Sequence, residues 1–482
     1  MRRIVWNLGA GALAVALALG PLVPPVRGAA PTLAVTPAEG NVGTRVQIAA
    51  SGLAPGTQVT FLWQTANGSY RTKVAPAMIS FYGYEYEPAQ IELGRVGADA
   101  QGRVVGTFPV PEDIGGAHAI YAMAGGHEVA RGQFKVNFSA TMTPVSGPVG
   151  TPIDITFHGL GPAPWNTDSL AYDNHYTGFL SEITTHGGGQ FRIRAAGAAG
   201  PHVIQLDTAA NATPMLNAQQ GPGLNTHHMN YHKVWTFTVT SSTALPPNRL
   251  EWPAPGRVAR IAPVASGPGS LTLAPASGPI LTRVQVSAKG LTPGAQAQVL
   301  WQTMGPGNRL TGMSPMETHP LFTAAAAADG ALSGTFTVPD DLGGRHVIQV
   351  VQNARVAAAA LYVTTPSLVA VTPARVKAGQ QFKVEIKGVG WTELDNAVAV
   401  TYDNAYLGYA CGFNSRGDVT IYFTAAGGPG VHLIDLYPMM FQGEGQPPWT
   451  YQVPQLTTLE DNPGLGLGFG FPIFRLAVTV TP

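Results

Sequence analysis

Twelve histidines are the residues of this chain best suited to bind a metal or move a proton. Four of them recur at one place in four repeated segments, each followed two positions later by isoleucine: His118, His202, His346 and His432. Because side chains alternate along a strand, each histidine shares the core face with its isoleucine, and residues of the opposite phase, such as Asp435, are expected to be partly exposed. We expect these four rings to be structural, mostly buried and neutral near pH 7, with their polar edges bonded to nearby backbone.

A second histidine group, HHMNYH, contains His227, His228 and His232. On a strand, His228 and His232 share a face but lie about 13 Å apart, too far to hold one ion without a bend. The matching segment of the later repeat has no histidine at these places, so the fold does not require them. Metal binding is therefore the weaker interpretation of this group.

Motifs of common catalytic sites are missing from the sequence. It contains neither a Gly-x-Ser-x-Gly elbow nor a His-Glu-x-x-His zinc motif. The acidic pairs Glu112-Asp113 and Asp340-Asp341 fall in a repeated Pro-x-Asp-x-Gly-Gly turn, and we interpret them as loop residues rather than general acids or bases. We expect no enzyme activity and no cofactor. A metal-dependent extracellular enzyme is kept as an alternative, and it would need converging histidine and acidic side chains.

The motif that comes closest to a binding site is Tyr-Asp-Asn-x-Tyr, which occurs once in each half of the chain. We predict a ligand-binding role for its residues: Tyr172, Asp173, Asn174 and Tyr176 in the first half, and Tyr402, Asp403, Asn404 and Tyr406 in the second. Two such loops on corresponding surfaces would give two equivalent contact points for a glycan, a cell-surface protein or a like subunit. The structural alternative is a hairpin turn, because Asp and Asn tolerate positive φ and flanking tyrosines pair across strands.

The elements that position these residues are repeated along the chain. The stretch from Leu33 to Thr65 returns without a gap at Leu271 to Thr303, 238 positions later, and fainter copies begin at Met142 and Val371. A repeat of this length indicates tandem units in the order A-B-A′-B′. We expect a signal peptide at 1–30, unit A at 32–138, unit B at 139–241, an extended Pro/Gly/Ala-rich linker at 242–269, unit A′ at 270–365 and unit B′ at 366–482.

Each unit has the pattern of short strands joined by Pro/Gly turns. In the third strand of unit A, Val59, Phe61 and Trp63 occupy alternating positions and share one face, which we expect to be the core. Regular strand spacing and the lack of a convincing helical stretch predict an all-β protein of four tandem immunoglobulin-like β-sandwiches.

The repeats resemble bacterial immunoglobulin-like domains, in particular the IPT/TIG group found in some transcription factors and plexins. Three features carry the resemblance: a Thr-Pro-x-x-Gly-x-x-Gly opening, a Gly-Leu after the second strand, and a late Gly-x-His-x-Ile strand. The resemblance covers nearly the whole mature chain. It implies spacer, adhesion or accessory modules of an exported protein, and therefore a structural or adhesive function without catalysis.

An aromatic segment, FYGYEYEP, occurs in unit A and has no counterpart in unit A′. We interpret it either as an extra hairpin that covers its own unit or as a contact surface. The first alternative function, a carbohydrate-binding accessory protein, needs exposed aromatic platforms. Its candidates are Tyr82, Tyr84, Trp165 and Trp391.

The N-terminus has the composition of an export signal. Arg2 and Arg3 are followed by an apolar stretch from Leu8 to Leu22 and by small residues at 28–30, where cleavage is expected. We therefore expect a secreted or cell-surface protein, which contacts the membrane only through this segment if the segment is retained.

The charge of the chain argues against one class of partner, and its cysteine content excludes an internal disulfide. Lys+Arg and Asp+Glu both number 27, so the chain has no basic field for nucleic acid, and we expect none as a partner. Cys411 is the only cysteine, so no internal disulfide can form and the exported units must be stabilised by packing alone.

Overall fold

The computed structural model describes residues 33–75, 78–161, 167–210, 212–214, 232–253, 264, 267–305, 316–390, 397–412, 415–439, 453–461 and 471–482. At 72–75, 78–82, 167, 208, 210, 232 and 397 the description covers the backbone only. These residues form strands and turns without an α-helix, and none of their segments is a helix able to cross a membrane. The expected signal peptide lies outside the described residues.

The strands fall into four groups along the chain. Unit A contains β1 (Leu33–Thr36), β2 (Glu39–Gly40), β3 (Arg45–Ala50), β4 (Gln58–Ala75), β5 (Met78–Gly97), β6 (Val104–Pro109), β7 (Gly116–Ala124) and β8 (His127–Val136). Unit B contains β9 (Ser139–Thr143), β10 (Ser146–Gly147), β11 (Pro152–His158), β12 (Thr167–Tyr172), β13 (His175–Leu180), β14 (Gly189–Arg194), β15 (Gly200–Ala210), β16 (Thr213–Pro214) and β17 (His232–Val239).

The second half repeats this arrangement after one intervening strand, β18 (Arg249–Glu251). Unit A′ contains β19 (Ser270–Ala274), β20 (Ser277–Gly278), β21 (Arg283–Lys289), β22 (Gln296–Met304), β23 (Met316–Ala325), β24 (Leu332–Thr337), β25 (Gly344–Gln352) and β26 (Arg355–Thr364). Unit B′ contains β27 (Ser367–Thr372), β28 (Arg375–Lys377), β29 (Gln381–Lys387), β30 (Ala397–Tyr402), β31 (Ala405–Cys411), β32 (Val419–Thr424), β33 (Gly430–Pro438) and β34 (Ile473–Thr481).

Every unit is a two-sheet sandwich with the immunoglobulin-like strand order. In unit A, a three-stranded sheet, β1-β3-β6, packs on a five-stranded sheet, β2-β8-β7-β4-β5, and units B, A′ and B′ repeat the pattern. The first strand of each unit is interrupted by a cis peptide bond before Pro37, Pro144, Pro275 or Pro373. The segment after that proline pairs in parallel with the last strand of its unit. The predicted all-β fold of four immunoglobulin-like sandwiches is therefore confirmed.

The core of each sandwich follows the alternating pattern of the sequence. Along β3 the exposed Arg45 and Gln47 alternate with the buried Val46 and Ile48. Trp63 and its counterpart Trp301 are buried, as expected for the third strand. Removing a large apolar side chain from water stabilises the fold by roughly 1.5–3 kcal/mol, so these positions fix which face of each strand points inward.

Units B and B′ are not independent, because one hydrophobic cluster extends across both. The buried residues packed with the core of unit B include Val431, Leu433 and Tyr437 from β33 and Ile473 from β34. The larger, six-stranded sheet of unit B′ is therefore covered on both faces, by the smaller sheet of its own unit and by unit B.

Part of the expected linker belongs to this assembly. Strand β18 pairs antiparallel with β34, and Leu250 packs against the core of unit B′. Asn248 accepts a hydrogen bond from the Ala477 N–H (3.1 Å). Residues 248–251 therefore form an edge of the B′ sheet, instead of acting as a spacer between the halves.

Two further segments cross from one unit to another, and we name them the arm and the strap. The arm is the outer part of the β4–β5 hairpin, residues 66–75 and 78–88, and it contains the aromatic segment singled out in the sequence. Tyr86 of the arm donates to the Glu182 carboxylate of unit B (2.9 Å). The strap, residues 453–461, comes from unit B′ and pairs with β13 of unit B. The aromatic hairpin thus contacts a neighbouring unit, rather than only covering its own.

The A–B and A′–B′ junctions are built alike. Gly115 donates to the Leu160 carbonyl, and Leu160 donates to the Gly187 carbonyl (2.9 and 2.8 Å). In the second half, the equivalent bonds join Gly343 to Val389 and Val389 to Gly417 (3.1 and 3.0 Å). The close approach of the chains at Gly187 explains the glycine there, because a Cβ atom would lie 2.6 Å from the Ile114 Cα.

Gly187→Ala is predicted to destabilise the A–B junction through steric overlap of the added Cβ atom as well as through backbone strain. Gly187 (φ +77°) and Gly56 (φ +79°) have the same conformation, but a Cβ at Gly56 meets no atom within 4 Å. We expect Gly56→Ala to lower the free energy of unfolding by about 1 kcal/mol and Gly187→Ala by about 2–3 kcal/mol. Urea unfolding of the full chain measures both, and equal losses would contradict the packing explanation.

Candidate functional site

The two Tyr-Asp-Asn motifs are the tight turns of equivalent hairpins. In unit B, Asp173 (φ 49°) and Asn174 (φ 63°) connect β12 to β13, and in unit B′, Asp403 (φ 47°) and Asn404 (φ 64°) connect β30 to β31. Two consecutive residues with positive φ define a type I′ turn, whose twist matches that of the flanking strands. Asp and Asn are the non-glycine residues that enter this region most readily, which explains their repetition here.

The aspartate of each turn binds the repeated histidine of its own unit. In unit B, the Asp173 carboxylate lies 2.6 Å from His202 Nδ1 and accepts a hydrogen bond from the Val203 N–H (2.9 Å). His202 Nε2 lies 2.8 Å from the Ala198 carbonyl oxygen. The Tyr172 ring stacks on the imidazole with centroids 5.5 Å apart. These side chains form one network that anchors the turn to the last strands of the sheet.

Unit B′ repeats this network. The Asp403 carboxylate lies 2.6 Å from His432 Nδ1, and His432 Nε2 lies 2.9 Å from the Gly428 carbonyl oxygen. Tyr402 stacks on the ring at 5.5 Å and donates its hydroxyl to the Ala426 carbonyl (2.8 Å). The sequence predicted the turns and the structural histidines separately, whereas the structure joins them.

The pKa values of these two histidines are raised, a shift that the sequence did not predict. Burial lowers the pKa of His202, but hydrogen bonds to the Ala198 carbonyl and to Asp173, together with the Asp173 charge, outweigh it and raise the pKa overall. His432 behaves alike: burial lowers its pKa, and Asp403 more than compensates, so the pKa is raised. The protonated imidazolium is therefore favoured in units B and B′ because each ring faces a carboxylate.

In the A units the equivalent histidine stacks on the core tryptophan. Trp63 donates Nε1–H to the buried Asp113 carboxylate (2.6 Å), and the His118 ring lies 4.8 Å from the indole. The counterpart Trp301 donates to Asp341 (3.0 Å) and stacks on His346 at 4.1 Å. Burial lowers the pKa of His346, which agrees with a neutral ring.

This geometry corrects the interpretation of the acidic turn residues. Asp113 and Asp341 are buried, whereas the sequence predicted ordinary loop residues. Each carboxylate ties the turn to the tryptophan in the core of its sandwich, and Asp113 also accepts from the Thr65 hydroxyl (2.6 Å). Their role is to satisfy the indole N–H and fix the turn.

A buried group of charges lies between units B and B′. Arg194 on β14 reaches across to Asp435 on β33 (2.5 Å) and donates to the Leu476 carbonyl (2.6 Å). Arg475 on β34 lies 3.2 Å from the same Asp435 carboxylate and donates to the Tyr437 hydroxyl (2.9 Å). Asp435 was expected to be partly exposed because it points away from its own core; it is buried because unit B packs on that face.

The outer part of this charge group includes the expected linker. Glu251 accepts from Arg475 (2.7 Å) and from Arg192 (3.2 Å), and Arg192 also binds Asp154 (2.6 Å). Burial works against the charged form of Arg475, but Tyr437, Asp435 and Glu251 outweigh it and raise its pKa. Three arginines are thus matched by three carboxylates. We refer to these residues together as the charge group: Asp154, Arg192, Arg194, Glu251, Asp435 and Arg475.

A cavity of about 190 Å³ opens beside the charge group. Its lining combines the exposed Trp252 with Arg192, Glu251 and Glu460 and with the apolar Leu456. An aromatic face next to carboxylates and a guanidinium suits a small polar ligand such as a sugar. The sequence did not single out Trp252, although a tryptophan in a Pro-rich linker is a signal that was available.

The predicted ligand-binding residues are engaged mainly within the molecule. Asn404 is 1% exposed and donates its amide to the Arg194 carbonyl of unit B (2.8 Å). The Tyr176 and Tyr406 rings meet edge to face at 6.2 Å, so the two loops contact each other's units rather than presenting identical open surfaces. Asp173 keeps 39% of its side chain exposed. A ligand-binding role stays a prediction, and the exposed Asn174 and the partly exposed Asp173 are the residues best placed for it.

The other candidate sites are only partly covered by the described residues. Tyr84 is half-buried and packs edge to face on Tyr86 at 6.1 Å, whereas Trp165, Trp391 and the side chain of Tyr82 lie outside the description. Within the described part of the chain, no group of three His, Cys, Asp or Glu side chains is arranged to hold a metal ion. The HHMNYH group is not covered by this statement, because His227, His228 and the side chain of His232 lie outside the described part of the chain.

Comparisons with known proteins give no match by sequence and only distant similarities by structure. No protein-family profile and no curated protein sequence matches the chain. Among solved structures, the ICAM-5 D1–D4 ectodomain fragment is similar over 94% of this chain and 100% of that chain, at 11% identity and a TM-score of 0.18. The Yersinia pseudotuberculosis adhesin InvE is similar over 49% of this chain and 71% of that chain, at 10% identity and a TM-score of 0.18.

A third solved structure of this group is a membrane-anchored protein of Corynebacterium diphtheriae, described as putative. It is similar over 69% of this chain and 89% of that chain, at 11% identity and a TM-score of 0.17. At such low identities and scores, these three structures carry no argument about function.

Asp435→Ala is predicted to destabilise the B–B′ assembly strongly. The substitution leaves the buried guanidinium groups of Arg194 and Arg475 without their shared carboxylate, and breaking a buried pair costs about 3–5 kcal/mol. Glu128→Ala is the matched control, because it removes a carboxylate from an exposed pair with Arg131 and should have little effect. Chemical denaturation of the full chain measures both, and equal stabilities of the two variants would contradict the role given to Asp435.

The histidines of units B and B′ predict a pH dependence of stability. A raised pKa in the folded state gives a stabilisation that is complete below the unfolded value, about 6.5, and is lost as pH rises through the folded pKa. Stability from His202 and His432 should therefore be complete below about pH 6.5 and decline as pH rises above it, through the raised folded-state pKa of each ring.

The double variant His202→Gln/His432→Gln should lose this decline, whereas His127→Gln, at an exposed position of unit A, should retain it. Denaturation midpoints across the pH range measure the effect. A parent protein and double variant with the same pH slope would show that the two aspartate contacts do not raise the histidine pKa values.

Proposed function

We propose that this protein is an exported, cell-surface structural or adhesive protein without catalytic activity, built from immunoglobulin-like modules of the IPT/TIG type. Its partner is a cell-surface protein or glycan. The export signal expected at 1–30 supports the location, and the four sandwiches support a modular role.

The observation that carries the proposal is the use of polar side chains to join modules. The charge group holds unit B on unit B′, the strap lies along unit B, and the arm reaches the strap through a hydrogen bond from Tyr70 to Asp461 (3.0 Å). Modules tied together at several points keep a fixed spacing between the surfaces that they expose. This property suits a scaffold or adhesin at a cell surface.

The repeated motif residues support a structural rather than a catalytic role. The aspartates and histidines of units B and B′ bind each other and nearby backbone, and those of the A units contact the core tryptophans. Such contacts use the polar atoms that an acid–base or nucleophilic mechanism would need for a substrate.

One observation favours the alternative of a carbohydrate-binding accessory protein. The cavity beside the charge group combines the exposed Trp252 with Arg192 and the carboxylates of Glu251 and Glu460. A sugar ring placed on the indole would have hydrogen-bond donors and acceptors within reach of its hydroxyls.

The location is tested by protease treatment of intact cells that express the full chain, followed by detection of an epitope tag after Pro482. We expect the protein to be cleaved while a cytoplasmic marker stays intact; protection equal to that of the marker would overturn the proposal. Purified protein is then passed over immobilised cell-wall glycans. Glycan retention that is lost in Trp252→Ala but kept in Trp235→Phe, a conservative change on β17 of unit B outside the cavity lining, would favour the carbohydrate-binding alternative instead.

A further inference from the structure

The sheets of units B and B′ end in equivalent edge strands, β13 and β31, and among the described residues a covering segment lies only on β13. Strand β13 follows the Asp173-Asn174 turn and β31 follows the Asp403-Asn404 turn. A sheet edge exposes unpaired N–H and C=O groups, which form a template for another strand. The described part of the chain therefore contains both a covered and an uncovered example of the same edge.

The strap covers β13 by pairing with it at a single β-bridge, between Gln455 and Phe179. Phe179 donates its N–H to the Pro454 carbonyl and accepts from the Leu456 N–H, both at 2.9 Å. The pairing is parallel, and the Thr457 hydroxyl continues it by accepting from the Ser181 N–H (3.0 Å). As a result Phe179 is buried, as are the neighbouring residues of β13.

At the equivalent edge of unit B′, no described segment of the chain covers β31 in this way. Among the described residues, β31 pairs only with β30. Leu407 is 59% exposed and Tyr409 is 51% exposed, and Cys411 is exposed as well. These residues alternate along the strand, so they form an apolar row at the rim of the sheet. We name this row the open edge.

The open edge lacks most of the features that prevent an edge strand from pairing with a strand of another molecule. Its seven residues, Ala405–Cys411, include no proline and no charged side chain, which are the usual protections. The pairing of β30 with β31 contains a bulge, but the pairing of β12 with β13 has the same irregularity, and there the strap still adds. The bulge therefore does not prevent strand addition at this place.

We propose that the open edge pairs with the open edge of a second copy of this chain. Tyr409 takes the place of Phe179, whose N–H and C=O both point away from the sheet toward the strap. In an antiparallel arrangement two facing residues exchange both hydrogen bonds, so the two copies pair around a two-fold axis at Tyr409. Leu407 of each copy then faces Cys411 of the other.

A second copy suits this edge for two physical reasons. The stretch of the strap that covers β13, Val453–Thr457, has no charged residue, and neither has β31, so a second copy of β31 offers an equally uncharged backbone. An isologous interface needs only one self-complementary surface, and a formal net charge of zero gives little long-range repulsion between copies. The strap of the same chain is already used on unit B.

The dimer goes beyond the proposed function and is tested independently of cellular location. Sedimentation velocity of the purified, full mature chain across a dilution series is expected to show a monomer–dimer equilibrium. Tyr409→Lys should raise the dimer dissociation constant by about tenfold or more, because two like charges then meet at the axis. Leu407→Lys is a second variant with the same expectation. Tyr422→Lys is the control, since Tyr422 is 68% exposed on β32, in the other sheet.

Thermal unfolding of each variant checks that unit B′ stays folded. Cys411→Ser, measured with and without reductant, should still form the dimer, which separates strand pairing from a disulfide between copies. A parent chain that stays monomeric across the series, or folded Tyr409→Lys and Leu407→Lys variants that dimerise like Tyr422→Lys, would overturn the proposal.

Discussion

Two buried guanidinium groups need hydrogen-bond acceptors. This need determines how the two halves of the molecule pack together. Removing Arg194 and Arg475 from water costs several kcal/mol for each ion unless carboxylates and carbonyls replace the lost hydration. Asp435 supplies the shared carboxylate, and the Leu476 carbonyl and Tyr437 hydroxyl supply further acceptors. These partners are correctly placed for only one position of unit B on the B′ sheet. The hydrophobic cluster favours contact between the units, and the charge group selects the geometry of that contact.

The same principle joins unit A to the distant end of the chain. The buried Asp461 carboxylate of the strap accepts hydrogen bonds from the Ile183 and Thr184 N–H groups, from the Thr184 hydroxyl and from Tyr70 of the arm. A carboxylate with this many donors fixes three segments of the chain: the arm, the loop that follows β13, and the strap. Unit B is thereby held from both sides, by chain that precedes it and by chain that follows it.

The sequence predicts the contacts within each unit but not the contacts between units. Alternation and turn chemistry located the buried Trp63, the Asp173-Asn174 turn and the inward histidines, because these depend on neighbours a few residues or one strand away. Asp435 was assigned to a partly exposed face, which would be correct for an isolated sandwich, and nothing local signals that unit B covers it. A signal for Asp113 did exist: its Pro-x-Asp-x-Gly-Gly turn and the third-strand tryptophan occur together in the A units and are both missing from the B units. A comparison of the copies with one another would have paired them.

The two junctions show that the copies retained their backbone geometry while the charged groups on it changed. His158 lies 2.7 Å from the Glu112 carboxylate, and its counterpart Lys387 pairs with Asp340. His186 lies 3.8 Å from Asp113, and its counterpart Arg416 lies 3.9 Å from Asp341, each with φ of 53°. Both bases of the first junction are thus imidazoles, whereas those of the second are an ammonium and a guanidinium. The copies therefore kept the position of each contact across the junction and changed the nitrogen base that faces each carboxylate.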